Sequence, residues 1–144
     1  MEIYKKKQIL SSLSDQQELS IQSKHLLLEL YRCDREKLND ESFLRCILNR
    51  AAKLANATVL NLISNKFEPQ GVTAIALLAE SHISIHTWPE SKYSAVDIFT
   101  CGINMMPELA SQYLIQSLMA KEHSLRVIER NPPSAVPKQI RTVV

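Results

Sequence analysis

Four short apolar segments follow one another between residues 57 and 101, and this succession constrains the fold more than any other feature of the sequence. ATVLNLIS (57–64) and VTAIALLA (72–79) are rich in aliphatic and β-branched residues. Two further segments, at about 83–88 and 93–101, alternate apolar and polar positions. The FEPQG stretch after the first segment is a Pro/Gly turn signal. The pattern therefore predicts four consecutive strands.

Two helices and two more strands are predicted around these four. KHLLLELYRC (24–33) and SLRVIE (124–129) have the composition of strands. The first helix follows a cap at Asn39 or Asp40, and its apolar residues recur at helical spacing: Phe43, Leu44, Ile47, Leu48, Ala51 and Leu54. The second helix begins near Pro107, and its predicted buried stripe is Leu109, Tyr113 and Leu118.

The resulting element order, βαββββαβ, predicts an α+β fold. We expect a two-layer sandwich in which a mainly antiparallel sheet carries two helices on one face and leaves the other face available. The domain is predicted to span residues 22–130. Residues 1–21 form a polar N-terminal arm, and residues 131–144, which begin NPPSAVP, form a C-terminal tail.

Charge and hydropathy restrict the partners of this chain. The net charge of +2 comes from 17 basic and 15 acidic residues, and apart from Lys5, Lys6 and Lys7 the two signs are interspersed. Nucleic acid is therefore not an expected partner. Because no window reaches the length of a membrane span and the three lysines precede no apolar stretch, we predict a cytoplasmic protein without membrane attachment.

Side-chain alternation along the strands places candidate chemical groups on one face. Ile83 and Ile85 point one way, and Ser84, His86 and Trp88 the other. In the following strand Val96 and Ile98 form the core pair, which leaves Ala95, Asp97, Phe99 and Cys101 on the opposite face. His86 and Cys101 are therefore predicted to share the open face.

Several kinds of chemistry do not fit these residues. The Gly-x-Ser-x-Gly elbow of many serine hydrolases is absent from the sequence, which has only two glycines. His82 and His86 are four residues apart, but in a strand that spacing separates them by roughly 13 Å, too far for one metal ion. No metal is predicted. The odd, widely spaced cysteines Cys33, Cys46 and Cys101 indicate reduced thiols.

AESHISIHTWPE (79–90), followed by YSAVDIFTCG (93–102), resembles the signature of the bacterial and archaeal S-adenosylmethionine decarboxylases, pyruvoyl enzymes of polyamine and spermidine synthesis. The resemblance extends upstream through KHLLLELYRCD and FEPQGVTAIALLAESH and covers roughly residues 22–130. It implies a proenzyme that cleaves itself between Glu80 and Ser81. The products are a β chain and an α chain whose first residue, Ser81, has become a pyruvoyl cofactor.

The resemblance also implies a role for individual residues. His86 is the processing base, and Thr73, where the family has a serine, assists it. Cys101 donates a proton to the substrate carbon after the pyruvoyl ketone has condensed with the substrate amine as a Schiff base and carbon dioxide has left. In substrate binding, the resemblance implies that adenine stacks on Phe67 and that the Glu90 carboxylate holds the ribose hydroxyls. Trp88 is not assigned by the resemblance: its indole is a candidate to line the same pocket, and packing in the core is the alternative.

The function implied is S-adenosylmethionine decarboxylase, with S-adenosylmethionine as substrate and an aminopropyl donor as product. We expect a homodimer of αβ protomers, or a larger assembly. The resemblance implies that its sites are shared between protomers. Each site would combine Ser81 and Cys101 of one protomer with four residues of its neighbour: Phe67, Thr73, His86 and Glu90.

Departures from the family pattern keep alternatives open. Ser64 and Asn65 stand where many family members have Phe-His. A pyruvoyl-dependent ornithine or arginine decarboxylase is therefore the alternative reading. A non-catalytic binding or regulatory homologue is less favoured, because Glu-Ser-His, His86 and Cys101 are all present. Cys33 and Cys46 match no family position and are predicted to be small buried hydrophobic residues.

Overall fold

The computed structural model of the chain describes residues 22–130. The predicted arms, residues 1–21 and 131–144, lie outside the described residues. Within the described part, no helix is long and apolar enough to cross a membrane.

The described residues form one six-stranded sheet and three helices, in the order β1, α1, α2, β2, β3, β4, β5, α3, β6. The strands are β1 (Ser23–Tyr31), β2 (Val59–Lys66), β3 (Val72–Leu78), β4 (Ser81–Trp88), β5 (Tyr93–Cys101) and β6 (Glu122–Glu129). The helices are α1 (Arg35–Leu38), α2 (Glu41–Leu54) and α3 (Pro107–Ser117), and a 3₁₀ turn (Pro89–Ser91) joins β4 to β5.

All neighbouring strands pair antiparallel, in the order β2-β3-β4-β5-β1-β6. Helices α2 and α3 pack on one face of this sheet, so the predicted α+β two-layer sandwich is confirmed. The alternation along the central strands is confirmed as well: Ile83, Ile85, Val96 and Ile98 are all buried on the helix side. Their neighbours in sequence lie on the opposite face, which we call the open face.

Local sequence signals explain where the long helices begin. The Asp40 carboxylate accepts the backbone N–H of Phe43 at 2.9 Å and caps α2. Helix α3 starts at Pro107, whose missing N–H costs nothing in the first turn. The predicted stripe of α3 is partly wrong, because Leu109 is exposed and Ala110 and Leu114 are buried instead.

Two other predictions need correction, and one element was missed. Strand β1 ends at Tyr31, two residues early, because Arg32 adopts a positive φ of 52° that no strand continues. Helix α1 was not predicted; its four residues are capped by Asp34 but are too few to show periodicity. Leu54, predicted to be on the apolar face of α2, is exposed at the end of that helix.

Candidate active site

The predicted cleavage bond lies in a tight hairpin. Ala79 and Glu80 form the two-residue connection between β3 and β4, and Leu78 pairs with Ser81 across it. The Glu80 carbonyl oxygen accepts the backbone N–H of Cys101 at 2.8 Å. The Glu80 carboxylate accepts the N–H of Thr58 at 2.9 Å. The residue before the predicted bond is thus held at both its carbonyl and its side chain.

The Ser81 backbone has an unusual conformation. Its φ is 141°, in a region that residues with a Cβ rarely adopt, and strain of this kind typically costs about 1–3 kcal/mol. The surrounding hydrogen bonds maintain it: Ser81 begins the β4 ladder, between Leu78 of β3 and Thr100 of β5. The peptide bond predicted to break is therefore fixed in place, and the residue that follows it has a strained backbone torsion.

Cys101 ends β5 directly opposite the start of β1. Its thiol sulfur lies 3.0 Å from the hydroxyl oxygen of Ser23, which is its register partner. Ser23 is buried, and Cys101 is partly exposed. Cys101 therefore brings two groups to this end of the sheet: a backbone N–H on the Glu80 carbonyl and a thiol.

The imidazole next to Ser81 in its own chain belongs to His82. Its Nδ1 is 3.4 Å from the Ser81 hydroxyl oxygen, a long contact for a hydrogen bond. The ring meets Phe99 edge-on, with centroids 5.8 Å apart, and Phe99 in turn packs on His25 at 5.4 Å. In the sequence, His82 stood out as part of the Glu-Ser-His stretch and as a rejected metal ligand, without a role of its own, and His25 did not stand out. The one available signal for His25 was its polar character at an open-face position of an apolar strand.

A second group of predicted site residues lies at the other end of the same strands. The Thr73 hydroxyl oxygen and His86 Nδ1 are 2.9 Å apart, on register partners of β3 and β4. Asn65 of β2 pairs with Thr73, so three polar residues form a row across the sheet. Trp88 lies beside His86, with ring centroids 6.4 Å apart, and its own ring is 42% exposed.

The predicted substrate-binding residues are at this second end. Phe67 follows β2 in the turn to β3, which is closed by a 2.8 Å hydrogen bond from its N–H to the Gly71 carbonyl. Gly71 has a φ of +101°, and a Cβ there would lie 3.0 Å from the Thr87 carbonyl oxygen, so the turn requires glycine. Phe67 is exposed, as is Glu90 in the 3₁₀ turn after β4.

The two groups are far apart within one chain. Ser81 and His86 are five positions apart along strand β4, which puts roughly 16 Å between their backbones. Glu80, Ser81 and Cys101 thus form a first group at one end. Thr73, His86, Trp88, Phe67 and Glu90 form a second group at the other end.

The middle of the open face, between these groups, is polar and partly buried. His25 Nε2 and Asp97 Oδ1 are 2.9 Å apart there. At the second end, Tyr93, the register partner of Trp88, donates a hydrogen bond to Glu29. Burial, reinforced by the Glu29 carboxylate, raises the pKa of Tyr93 to about 12, so its phenol stays protonated. These polar side chains of the open face can form hydrogen bonds with a molecule that packs on it.

Two interpretations of individual side chains change with the structure. Ser64 was counted with the substrate pocket, but its hydroxyl donates to Glu41 at 2.6 Å and accepts from Arg45 at 2.8 Å, so it faces α2. Cys46, predicted to be buried, is exposed on α2. Cys33 is buried as predicted, and burial raises the pKa of its thiol to about 11.

Comparisons with known proteins identify the family of the chain. A sequence model of the family "S-adenosylmethionine decarboxylase" matches residues 24–131. The S-adenosylmethionine decarboxylase proenzyme of Synechococcus sp. (strain WH7803) is 60% identical over 119 residues, which is 83% of this chain and 93% of that protein. The protein of the same name from Thermodesulfovibrio yellowstonii is 44% identical over 106 residues, covering 74% of this chain and 78% of the relative.

A solved structure agrees as well. The crystal structure of the adenosylmethionine decarboxylase from Aquifex aeolicus VF5 superimposes with a TM-score of 0.74 at 37% identity and covers 83% of this chain and 99% of that one. Sequence and fold point to the same group of proteins, and the chain belongs to the S-adenosylmethionine decarboxylase family.

Proposed function

We propose that this protein is a carboxy-lyase that decarboxylates S-adenosylmethionine, after cleaving its own chain between Glu80 and Ser81. The observation that carries the proposal is the environment of that bond. Its carbonyl oxygen is held by the N–H of Cys101 at 2.8 Å, and the Cys101 thiol lies at the same end of the sheet. One residue thus serves both the cleavage and the later proton transfer.

Self-cleavage follows from the groups present. The Ser81 hydroxyl oxygen attacks the Glu80 carbonyl carbon, and negative charge develops on the carbonyl oxygen. The Cys101 N–H already points at that oxygen and stabilises the charge without rearrangement. The peptide nitrogen leaves as an amine, giving an ester. Loss of the Ser81 Cα proton then breaks the bond between Cβ and the ester oxygen, and the main-chain carboxylate of Glu80 leaves as the new C-terminus of the first chain. Hydrolysis of the remaining enamine releases ammonia and leaves the ketone.

The strained φ of Ser81 favours this sequence of steps. That torsion is a rotation about the Ser81 N–Cα bond, and the bond itself is lost when ammonia leaves. The strain of about 1–3 kcal/mol is present only in the uncleaved chain. Because the cut falls in a two-residue turn, β3 and β4 stay paired through their ladder, and the fold survives the cleavage.

The residues near Ser81 fit a pyruvoyl group there. The chemistry that such a group supplies is the acceptance of the electron pair left behind when the substrate loses carbon dioxide. The Cys101 thiol would then protonate the substrate carbon, because this thiol carries a proton, belongs to the first group and faces away from the core. Phe67 and Trp88 offer exposed aromatic faces for adenine, and Glu90 a carboxylate for the ribose hydroxyls.

A dimer is required if His86 is the processing base. It lies roughly 16 Å along the strand from Ser81 in its own chain, beyond the reach of a proton transfer. A second protomer stacked antiparallel on the open face would bring its own His86 to Ser81. In the tautomer where Nδ1 donates to Thr73, Nε2 carries the lone pair that accepts the serine proton.

The open face has the composition of a buried interface. Large apolar side chains on it are substantially exposed: Ile63, Leu77, Trp88 and Ile128. Such a surface favours association with a second copy in an isologous dimer, where each protomer contributes the same face. We therefore propose two shared sites per dimer, each with the first group from one protomer and the second group from its partner.

The alternative substrates, ornithine and arginine, rested on Ser64 and Asn65. Ser64 faces α2, so only Asn65 remains as an open-face departure near His86. The test incubates the processed protein separately with S-adenosylmethionine, ornithine and arginine and measures carbon dioxide and the amine product. We expect release from S-adenosylmethionine alone. Release from ornithine or arginine, with none from S-adenosylmethionine, would transfer the proposal to the alternative.

A further inference from the structure

We infer that Ser23 is a positioning residue for the Cys101 thiol. The inference rests on the proposed role of Cys101 as proton donor and adds a residue from a different strand to it. Its basis is the 3.0 Å contact between the Ser23 hydroxyl oxygen and the Cys101 sulfur, which lies within the range of a hydrogen bond to sulfur.

The Ser23 backbone is fixed on both sides. Ser23 pairs with Cys101 of β5, and its carbonyl accepts the N–H of Arg130 at 2.9 Å beyond the end of β6. The residues that follow Cys101 and precede Ser23 are also paired, since the N–H of Gly102 donates to the Gln22 carbonyl at 3.0 Å. Ser23 is itself 3% exposed. Its hydroxyl is therefore held in place by the sheet.

The contact acts differently on the two forms of the sulfur. In the thiol form, either the hydroxyl or the S–H can donate. In the thiolate form, the sulfur can only accept, so the Ser23 hydroxyl must donate. The hydrogen bond therefore stabilises the thiolate more than the thiol.

This difference matters in the proton transfer. When Cys101 gives its proton to the substrate carbon, the electron pair of the S–H bond stays on sulfur, and the thiolate later regains a proton from water. Ser23 stabilises that thiolate and, in the arrangement in which its hydroxyl donates to the thiol sulfur, leaves the S–H hydrogen free to point at the substrate. Without Ser23, the thiol turns more freely and protonation at the correct carbon becomes less efficient.

The first test measures the thiol and does not depend on decarboxylation. In the uncleavable Ser81→Ala chain, the rate of Cys101 alkylation by iodoacetamide is followed against pH by peptide mass spectrometry. Adding Ser23→Ala should move half-maximal alkylation about 0.5 to 1 pH unit higher, as expected for the difference between a hydrogen bond to the charged thiolate and one to the neutral thiol. Ser23→Thr, which keeps the hydroxyl, should restore the original profile.

Two controls separate this effect from general loosening of the structure. Cys46 is exposed on α2 and should show one unchanged profile in every variant. Ser111→Ala removes an equally buried hydroxyl, which donates to the Glu108 carbonyl, and should leave Cys101 unaffected. An unchanged Cys101 profile in Ser23→Ala, or an equal shift in Ser111→Ala, would overturn the inference.

The second test uses the processed enzyme. If the proton is delivered to the carbon of the chain terminus instead of the substrate carbon, hydrolysis would leave the substrate's amino group on the chain as an alanine terminus and release the rest of the decarboxylated substrate as an aldehyde. Intact-mass spectrometry detects this alanine on the second chain. Ser23→Ala should lower the number of turnovers per inactivated chain about threefold to tenfold. A ratio equal to that of the wild type would contradict the inference. If the protein decarboxylates nothing, the alkylation test still decides the role of Ser23, so failure of the proposed function is recognised separately.

Discussion

Mixing two inactive variants should restore self-cleavage, because the proposed cleavage site takes Ser81 from one chain and His86 from the other. Ser81→Ala cannot be cut but still supplies His86. His86→Ala keeps Ser81 but lacks the base. After dissociation in mild denaturant and reassociation, a heterodimer contains one complete site, and the only chain that can be cut there is the His86→Ala chain.

The expected yield follows from the pairing. In an equimolar mixture with random reassociation, about half of the His86→Ala chains meet a Ser81→Ala partner, so about half of them should be cleaved. With a fourfold excess of Ser81→Ala, about four-fifths should be cleaved. Gel densitometry or intact-mass spectrometry measures both fractions, and Ser81→Ala chains should stay whole throughout.

His82→Ala is the matched control. His82 is the imidazole 3.4 Å from Ser81 in the same chain, so a defect caused by its loss stays with the chain that carries it. A Ser81→Ala partner should therefore leave the cleavage of His82→Ala unchanged. The reasoning would be refuted if His86→Ala chains cleave alone at the wild-type rate. It would also be refuted if native mass spectrometry finds heterodimers in which no chain is cut.

Three further changes have defined outcomes. Thr87→Val removes a buried hydroxyl that forms hydrogen bonds with two backbone groups at 2.7 and 2.9 Å, and it should lower the free energy of unfolding in urea by about 2–4 kcal/mol. The control Thr58→Val, at an exposed position, should change that free energy little. A loss below about 0.5 kcal/mol in Thr87→Val would be inconsistent with a stabilising role of these hydrogen bonds. Burial opposes ionisation of Glu108, but hydrogen bonding and attraction from Lys24 outweigh it and lower its pKa, so the stabilisation is present above the unfolded-state pKa and lost in acid. Glu108→Gln should therefore cost about 0.2–1 kcal/mol at neutral pH and nothing in acid, measured by urea unfolding at both; an equal cost at both would contradict the assignment. Cys101→Ala keeps the backbone N–H and should still cleave, but with decarboxylation depressed or diverted to an alanine terminus; full turnover would remove the thiol from the mechanism.

The sheet and its two faces could be predicted because strand alternation is a local property. Ile83 and Ile85 fix the face of β4 within three residues, and this alone placed His86 on the open side. Burial in α3 was less predictable, although the helix begins at Pro107 as expected, because it carries apolar residues on more than one side and only its packing against the sheet decides which side is buried. An error of one position exchanges Leu109 for Ala110.

Contacts between distant strands could not be predicted from local patterns. Ser23 and Cys101 are 78 positions apart, and their contact depends on the register of β1 against β5. Ser64 shows the same limit: the family pattern placed it with the pocket, but its hydrogen-bond partners lie on α2. Sequence resemblance identified the candidate residues, and only the fold divides them into two groups at opposite ends of the sheet.

Intact-mass spectrometry of the purified wild-type protein decides whether the chain cleaves itself. We expect two chains whose boundary is the bond between Glu80 and Ser81. The second chain should be lighter, by one ammonia, than a chain beginning with serine, because Ser81 has become a pyruvoyl group. Ser81→Ala, prepared in the same way, should give one full-length chain. A wild-type protein that remains a single chain after prolonged incubation, or a second chain that begins with an unmodified serine, would contradict the account.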